Sequence, residues 1–339
     1  MNLENFIIVG ENIHCSRIVK RNGKRATTLD DGTEVVTFKY RGDEKQLPVP
    51  SDWGAVSPAF NDGKIKHVAL AIHQSLHADE ETQKTAQDYL CWLAERQIDG
   101  GAWFLDVNVD EYSSDADAAV DVMSFLVEFY GQRFETPLSL DSSNPKVLKA
   151  GLERHRSDIR PPMVNSVSLE RPDIADLVKH YNADVIVNAS GAEGMPGSAD
   201  ERMNNFRQVM TIMDTAEIPR EKMHLDPLVL PISTDPANGA AFLDATRQAA
   251  AEFEGVHLNG GLSNISFGMP NRKLLNLSFI RLCAEAGTDG GIIDPCSTPP
   301  SAAAELDPES EGFKLAKAVL TGEDMFGMEY ITAHREGRL

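Results

Sequence analysis

The amino-acid sequence predicts an α/β protein, a (β/α)8 barrel of parallel strands with a β-hairpin and loop inserted after the first strand. Eight short apolar segments recur along the 339 residues, and segments with helical periodicity separate most of them. Strand–helix alternation repeated in this way is typical of a closed barrel. An open doubly wound sheet is the alternative, but it usually carries a glycine-rich phosphate turn after the first strand, and GENIHCSR (10–17) is not such a turn.

The eight apolar segments are the predicted strands, and nearly all of them end in polar or turn-forming residues. Helical periodicity is clear between Asp79 and Gly101, where a Gly-Gly pair supplies a stop. Asn144 followed by Pro145 is a candidate helix start. The segments are FIIVGENI (6–13), AWFLDVNV (102–109), PLSLDSS (137–143), MVNSVS (163–168), DVIVNAS (184–190), MHLDPLVLPI (223–232), GVHLNGGLSN (255–264) and GGIIDPC (290–296).

We predict a single domain, residues 1–339. Within it, residues 15–78 interrupt the alternation of strands and helices. The segment 24–42 alternates Thr, Val and Tyr around Asp30-Asp31-Gly32, which predicts a β-hairpin, and a Pro- and Gly-rich loop follows. A long loop after a barrel strand decorates the rim, closes over a ligand or receives a partner. The hairpin is also a basic island in an acidic chain, with Lys20, Arg21, Lys24, Arg25, Lys39 and Arg41.

Composition and charge exclude several function classes. With 32 basic and 52 acidic residues, the formal charge is -20, which disfavours nucleic acid and anionic membrane surfaces as partners. The four cysteines form no CxxC pair, which is typical of free thiols in a reducing compartment. The N-terminal segment is too short and too acidic for a signal peptide, and no apolar run is long enough to cross a bilayer. We therefore expect a cytoplasmic protein.

Polar residues follow the apolar segments, and in a barrel such positions converge on one mouth. Carboxylates accept hydrogen bonds from ring N–H and amino groups, and carboxamides both donate and accept. The set therefore suits a neutral heterocycle better than a phosphate, although any single Asp or Asn could simply cap the next helix. The residues are Asp141, Asn165, Asp226 and Asn264, with Glu11, Asn12, Asp106, Asn108, Asn188 and Asp294 in similar positions.

The sequence predicts no metal site. His14 stands next to Cys15, but two adjacent residues rarely chelate one ion without further ligands nearby. His73 and His77 could share a helix face, yet surface or core positions explain such histidines equally well. Acyl-transfer chemistry has no support either, because no nucleophile elbow is recognisable.

Several motifs, in order, resemble the pterin-binding methyltransferase family. This family contains the methyltetrahydrofolate:corrinoid protein methyltransferases and the folate module of cobalamin-dependent methionine synthase, and dihydropteroate synthase is related to it. The resemblance covers residues 5–14 and about 80 to 322. The motifs are VGENI (9–13), FLDVNV (104–109), PLSLDSSNPKVLKAGL (137–152), MVNSVS (163–168), LDPLVLP (225–231) and GLSNISFGMPNRKLLN (261–276).

The resemblance implies a (β/α)8 barrel that binds 5-methyltetrahydrofolate, usually dimerises, and exchanges the N5 methyl group with the cobalt of a corrinoid. By its motifs, Asp141, Asn165 and Asp226 would hold the pterin ring, and Asn264 would hydrogen-bond at N5 as the catalytic residue. Ser263 keeps the surroundings of Asn264 small. Looser contacts would come from Glu11, Asn12, Asp106 and Asn108.

Departures from the family pattern shape the expected function. The chain lacks a D-x-H-x-x-G cobalamin signature, so we expect the cobalamin to arrive on a separate corrinoid-binding protein. The protein would then be a folate module of a split methionine synthase, or a component of a one-carbon or demethylation pathway. Dihydropteroate synthase is the alternative, but its NxTPDSFSDGG-like stretch is absent after the first strand. A folate-binding protein without turnover is the other alternative, and the intact Asn264 motif argues against it.

Overall fold

A computed structural model describes residues 3–156, 158–192 and 194–339. Strands and helices alternate through most of the chain. In chain order, the strands are Ile7–His14 (β1), Ile18–Lys20 (β2), Ala26–Thr28 (β3), Glu34–Tyr40 (β4), Asp43–Pro48 (β5), Lys64–Lys66 (β6), Phe104–Asn108 (β7), Leu138–Asp141 (β8), Met163–Val167 (β9), Asp184–Asn188 (β10), Met223–Asp226 (β11), His257–Leu258 (β12) and Gly290–Ile293 (β13).

The helices lie mostly between the strands of the predicted barrel. The α-helices are Trp53–Val56 (α1), His67–His77 (α2), Glu80–Asp99 (α3), Ala116–Gly131 (α4), Pro145–Arg154 (α5), Ile174–Tyr181 (α6), Ala199–Thr215 (α7), Asn238–Glu252 (α8), Arg272–Ala286 (α9), Pro300–Ala304 (α10), Glu311–Leu320 (α11) and Met328–Arg335 (α12). Short 3-10 helices are Pro58–Phe60, Arg220–Lys222, Leu262–Ser266 and Met325–Gly327.

The eight predicted barrel strands form one sheet in the order β12-β11-β10-β9-β8-β7-β1-β13. The two ends of this order are joined by backbone hydrogen bonds, from Asp289 to Leu258 (3.1 Å) and from Ile292 to Gly260 (2.9 Å). Parallel strands connected through helices, with first and last strands paired, have the topology of a (β/α)8 TIM barrel. The predicted fold class is confirmed.

Contacts divide the chain into two compact units. The first unit comprises residues up to Gly10, Gly100–Phe104 and Arg160–Leu339, and the second comprises Glu11–Asp99 and Leu105–Ile159. The assignment of residues 1–339 to a single domain stays a prediction. No helix among the described residues combines the length and hydrophobicity that a membrane span requires.

The core of the first unit has two parts. One is a small cluster contributed by alternate strands, with Ile7 and Val9 of β1, Phe104 of β7, Met163 of β9 and Ile186 of β10. Side chains of alternate strands fill the interior of such barrels as layers. The other is a larger apolar cluster beneath α8, α9 and α11, whose members include Phe242, Phe279 and Phe313. These two clusters hold the strands whose ends carry the candidate site.

The insertion folds as a three-stranded antiparallel sheet, β3-β4-β5, that packs on α3 within the second unit. The predicted hairpin is confirmed as β3 and β4, and Phe38 packs against Tyr89 with ring centroids 4.8 Å apart. The basic island is partly neutralised internally, because Arg21 pairs with Glu34 and Arg41 with Glu95. The predicted loop after the hairpin contains the end of β5 and the short helix α1.

The largest differences between the predicted and observed strand ends are at β11 and β12. β11 ends at Asp226, because Pro227 follows and Leu228 has a positive φ of 69°. β12 contains only His257–Leu258, and the predicted strand residue Asn264 lies instead in the 3-10 helix Leu262–Ser266. The predicted helix start at Asn144 is confirmed, since its side chain accepts from the Lys146 N–H.

Gly239 at the start of α8 is a sensitive packing position in the first unit. A Cβ atom there would lie 2.0 Å from the Leu320 carbonyl oxygen, which is backbone and cannot rotate away. We expect Gly239→Ala to lower the free energy of unfolding by about 1–3 kcal/mol or more. Urea unfolding followed by circular dichroism measures the change.

Gly312→Ala is the matched control, because a Cβ at this helical glycine meets Leu274 and Leu339 side chains at 3.4 and 3.7 Å. Alanine also has a higher helix propensity than glycine, so this variant should be neutral or slightly stabilising. Equal stabilities of the two variants would contradict the packing described for α8.

Candidate functional site

In the first unit, polar side chains stand at the carboxyl ends of β9, β10 and β11. The strand register pairs Asn165 with Ile186 and Asn188 with Asp226. Register shifts by one residue beyond Asn165, and the Asn165–Ser166 peptide bond is cis. Asn188 donates from Nδ2 to the Ser166 hydroxyl at 2.7 Å, whereas Asn165 is only half-buried. Asp226 therefore ends its strand as the sequence predicted, whereas Asn165 lies within β9, two residues before the strand ends.

Asp226 is a buried carboxylate held by backbone N–H groups. Its Oδ1 accepts from Leu228 N at 2.7 Å, and its side chain is 7% exposed. Burial raises the pKa of Asp226 to about 6, although N–H groups of Leu228 and Gly261 and the charge of Arg202 oppose this. A ligand that donates N–H bonds would favour the charged carboxylate and offset the burial.

Arg202 fixes the backbone that follows Asp226. This arginine of α7 is fully buried, and its guanidinium donates to the carbonyl oxygens of Pro227 (2.7 Å), Leu228 (3.4 Å) and Ser198 (3.0 Å). Because its N–H groups bond to carbonyls, Arg202 positions the loop and acts on the Asp226 carboxylate only through its charge. The sequence analysis missed this residue, since an arginine in an amphipathic helix usually lies on the surface.

Asn264 is presented to solvent by an anchored 3-10 helix. Leu262 and Ile265 are fully buried on either side of it, while Asn264 is exposed. Ser263, the other predicted ligand in this helix, is 7% exposed. The backbone N–H of Ile232 donates to the Ile265 carbonyl at 3.1 Å, which ties the helix to the segment after β11. The Asn264 carboxamide therefore stands on a fixed support.

Small and basic neighbours hold the Asn264 segment in place. A Cβ on Gly261 would lie 2.9 Å from Asn264 Nδ2, so glycine leaves the space that the carboxamide uses. Arg272, at the start of α9, donates to the Ser263 carbonyl at 2.9 Å and to the Ser266 hydroxyl at 3.0 Å. Its guanidinium also stacks over Phe267, 4.3 Å from the ring centroid. The segment between β12 and α9 is thus an ordered support rather than a loose loop.

In the second unit, Asn108 and Asp141 are neighbours at the carboxyl ends of β7 and β8. The strand register pairs the two residues, and Asn108 Nδ2 donates to Asp141 Oδ2 at 2.9 Å. Burial, followed by the charge of Asp106, raises the pKa of Asp141 to about 7. Burial thus favours the protonated form of the Asp141 carboxyl.

Asp106 contacts His14 rather than solvent. It is fully buried, and its Oδ2 lies 2.5 Å from His14 Nε2 while Oδ1 accepts from the Ser139 hydroxyl at 2.6 Å. Burial disfavours the charged imidazole, but the hydrogen bond and charge of Asp106 outweigh it, so the pKa of His14 is raised. The sequence analysis did not connect His14 with Asp106, because the two residues are 92 positions apart.

The remaining predicted residues of the second unit have structural partners. Glu11 forms an ion pair with Arg17 at 2.7 Å, and the backbone N–H of Asn12 donates to Gln97 at 2.9 Å. Asp110, which follows the motif FLDVNV (104–109), accepts from the Ser143 N–H and hydroxyl, both at 2.8 Å. It thus links the loops that follow β7 and β8.

Comparison with known proteins matches this architecture to one enzyme family. Residues 77–294, more than half of the chain, match the family described as pterin binding enzyme. A methylcorrinoid:tetrahydrofolate methyltransferase of Eubacterium limosum is 25% identical over 248 residues, which cover 72% of this chain and 86% of that protein. The family match over more than half of the chain defines the class as that of the pterin-binding enzymes.

Solved structures with the same fold include two dihydropteroate synthases. The Yersinia pestis enzyme with a pterine-sulfa conjugate has a TM-score of 0.53 and 18% identity, covering 64% of this chain and 86% of that chain. The Stenotrophomonas maltophilia enzyme with bound imidazole has a TM-score of 0.52 and 14% identity, covering 66% and 86%. These likenesses show the fold. The chain belongs to the pterin-binding enzyme family.

The buried charge of Asp226 makes a prediction about stability. Its pKa of about 6 in the folded protein exceeds the ordinary value of 3.8, so its contribution to stability is lost as the pH rises from about 4 to above 6. The asparagine of the Asp226→Asn variant cannot ionise, so this loss of stability with rising pH is absent from the variant. We expect the variant to gain about 1–3 kcal/mol over wild type between pH 4.5 and 7.5. Urea unfolding of both proteins at the two pH values measures it.

Comparison at each pH cancels the contributions of all other titrating groups. A stability difference between the two proteins that does not change with pH would contradict a raised pKa of Asp226. Weaker pterin binding by the same variant would be consistent with a binding residue kept charged at the expense of stability.

Proposed function

We propose that the protein transfers a methyl group between N5 of 5-methyltetrahydrofolate and the cobalt of a corrinoid carried by a separate protein. The supporting observation is the exposed Asn264 carboxamide on its buried, hydrogen-bonded support. The family match supports a pterin substrate, and the name of the Eubacterium limosum relative supports this reaction class. A separate corrinoid-binding protein would supply the corrinoid. The family resemblance also leads us to expect a homodimer.

The pterin ring would be held by the strand-end side chains. Asp226, buried and supplied with backbone N–H groups, suits the amino and N–H groups of a pyrimidinone. We propose Asn165 as an additional donor and acceptor, and Asp141, oriented by Asn108, as a second carboxylate. The looser wall positions proposed are Glu11, Asn12, Asp106, Asn108 and Ser263.

Methyl transfer from folate needs help at N5, because a tertiary amine is a poor leaving group. When the methyl carbon bonds to Co(I), the C–N5 bond breaks, its electron pair stays on N5, and N5 gains a proton. The Asn264 carboxamide would accept a hydrogen bond from the N5 proton in the transition state, without the fixed charge of a carboxylate or an ammonium. The rigid 3-10 helix keeps the carboxamide in place without reorganisation.

Asn264→Ala removes this carboxamide at an exposed position, so the variant should fold normally. We expect methyl transfer to reduced cobalamin to fall at least about tenfold, or 1.4 kcal/mol in the barrier. Gly261→Ala should also slow transfer. The added Cβ would lie 2.9 Å from Asn264 Nδ2, so the carboxamide would have to move from its position. Formation of methylcobalamin, followed by absorbance with purified protein and 5-methyltetrahydrofolate, measures both effects.

Asn204→Ala, at an exposed asparagine of α7, is the matched control and should transfer methyl groups as wild type does. A parallel assay of 7,8-dihydropteroate and pyrophosphate formation from a dihydropterin pyrophosphate and p-aminobenzoate tests the dihydropteroate synthase alternative. Dihydropteroate formation without methyl transfer would replace our proposal with that alternative. Folate binding without either reaction would leave a non-catalytic binding protein.

A further inference from the structure

A cavity of about 470 Å³ in the second unit is lined by the insertion and by the loop that follows β7. Its volume is within the range of about 300–1,000 Å³ that is usual for small-molecule sites. The insertion contributes Trp53, residues 55–58, Lys66 and Ala69, and the loop contributes residues 110–114. None of the described residues that we propose to hold the pterin lines this cavity. It is therefore a separate place for a ligand.

Two hydrogen-bond donors in the wall of this cavity have no partner. Trp53 is 1% exposed and Ser57 is 7% exposed, yet neither Trp53 Nε1 nor the Ser57 hydroxyl is bonded to any described group. Ser57 precedes the 3-10 helix Pro58–Phe60 but does not cap it with its side chain, as serine commonly does. Buried polar groups without partners are rare in folded proteins. The cavity beside them is where a ligand can supply the missing acceptor.

Lys66 adds a positive charge to the same wall. Its ammonium nitrogen lies 2.7 Å from Glu111 Oε2, a bond that uses one of the three N–H groups of the ammonium. The Lys66 side chain is only 23% exposed, so water screens its charge incompletely. Together, the Lys66 ammonium, the Trp53 N–H and the Ser57 hydroxyl make this wall rich in donors. Such a wall suits a carboxylate.

A ligand with only a negative charge would fit the loop side of the cavity poorly. Asp110 and Glu111 both line the cavity, whereas Lys66 is the only Lys or Arg among its described lining residues. A positively charged group on the ligand would complement the excess of carboxylates. Glu111 binds Lys66 through Oε2, which leaves Oε1 to accept from that group. The cavity therefore suits a zwitterion better than a simple anion.

We propose that this cavity binds the zwitterion of an α-amino acid with an aliphatic side chain. The carboxylate of the ligand would accept from Lys66, Ser57 and Trp53, and its ammonium group would donate to Glu111. The aliphatic side chain would cover Val56, which is 47% exposed and lines the cavity. The proposal is independent of methyl transfer, because amino-acid binding is measured without turnover.

Calorimetric titration of the full chain with single amino acids tests the proposal. We expect at least one of L-leucine, L-valine and L-methionine to bind with a Kd below about 1 mM. The N-acetyl derivative of the amino acid that binds best lacks the ammonium group, and its amide lacks the carboxylate. Each derivative should bind at least about tenfold more weakly than the parent amino acid.

Variants of the wall locate the bound amino acid. Lys66→Met should weaken binding at least about tenfold, and Ser57→Ala and Trp53→Phe about three- to tenfold each. Lys64→Met is the matched control, because Lys64 is an exposed residue of the same strand and lies outside the described lining. This variant should bind the amino acid as wild type does. Circular dichroism and thermal unfolding check that each variant folds.

The proposal is overturned if none of the three amino acids binds. It is equally overturned if Lys66→Met and Ser57→Ala both leave amino-acid binding unchanged, because the ligand then lies elsewhere. The glutamate tail of 5-methyltetrahydrofolate is another source of carboxylates, but it has no free ammonium group. Weaker binding of 5-methyltetrahydrofolate by Lys66→Met, with amino-acid binding unchanged, would assign the cavity to that tail and contradict the proposal.

Discussion

The candidate site depends on the burial of carboxylates at strand ends. Asp226 and Asp141 sit in water-poor surroundings that raise the pKa of each, to about 6 and about 7. Folding compensates for these charges only in part: Asp226 accepts from backbone N–H groups and Asp141 from the neutral amide of Asn108, and the charges of Arg202 and His14 do not offset the effect of burial. Groups arranged in this way are suited to N–H donors that arrive with a ligand. A pterin ring provides such donors along one edge, as the proposed binding mode requires.

Rigid support is the second requirement, and different residues provide it around each functional group. Arg202 fixes the backbone after Asp226 from within α7. Arg272 and the buried Leu262 and Ile265 fix the helix that carries Asn264. Residues that touch a ligand can stay polar and exposed because residues behind them are apolar or fully hydrogen-bonded. Each functional group is thus held in place by buried or hydrogen-bonded residues of its own unit.

Sequence patterns predicted the fold and the strand-end residues for a simple reason. An Asp or Asn directly after an apolar run marks the end of a buried strand, as Asp141 and Asp226 do. The 3-10 helix of Asn264 has no comparable periodicity, so the sequence extended β12 through it. β5 was missed because Leu47 is its one buried side chain and backbone pairing with β4 holds it. His14 was not linked to Asp106 because only the folded chain brings them together.

Proton release on ligand binding would show whether the buried carboxylates accept hydrogen bonds from a bound pterin ring. Titration calorimetry with 6-hydroxymethylpterin, whose N5 is not basic near neutral pH, is done at about pH 6 in buffers of different ionisation enthalpy. If buried carboxylates accept N–H bonds from the ring, their pKa values fall on binding. We expect the release of a fraction of a proton for each pterin molecule bound. Binding without proton release, or with proton uptake, would contradict it.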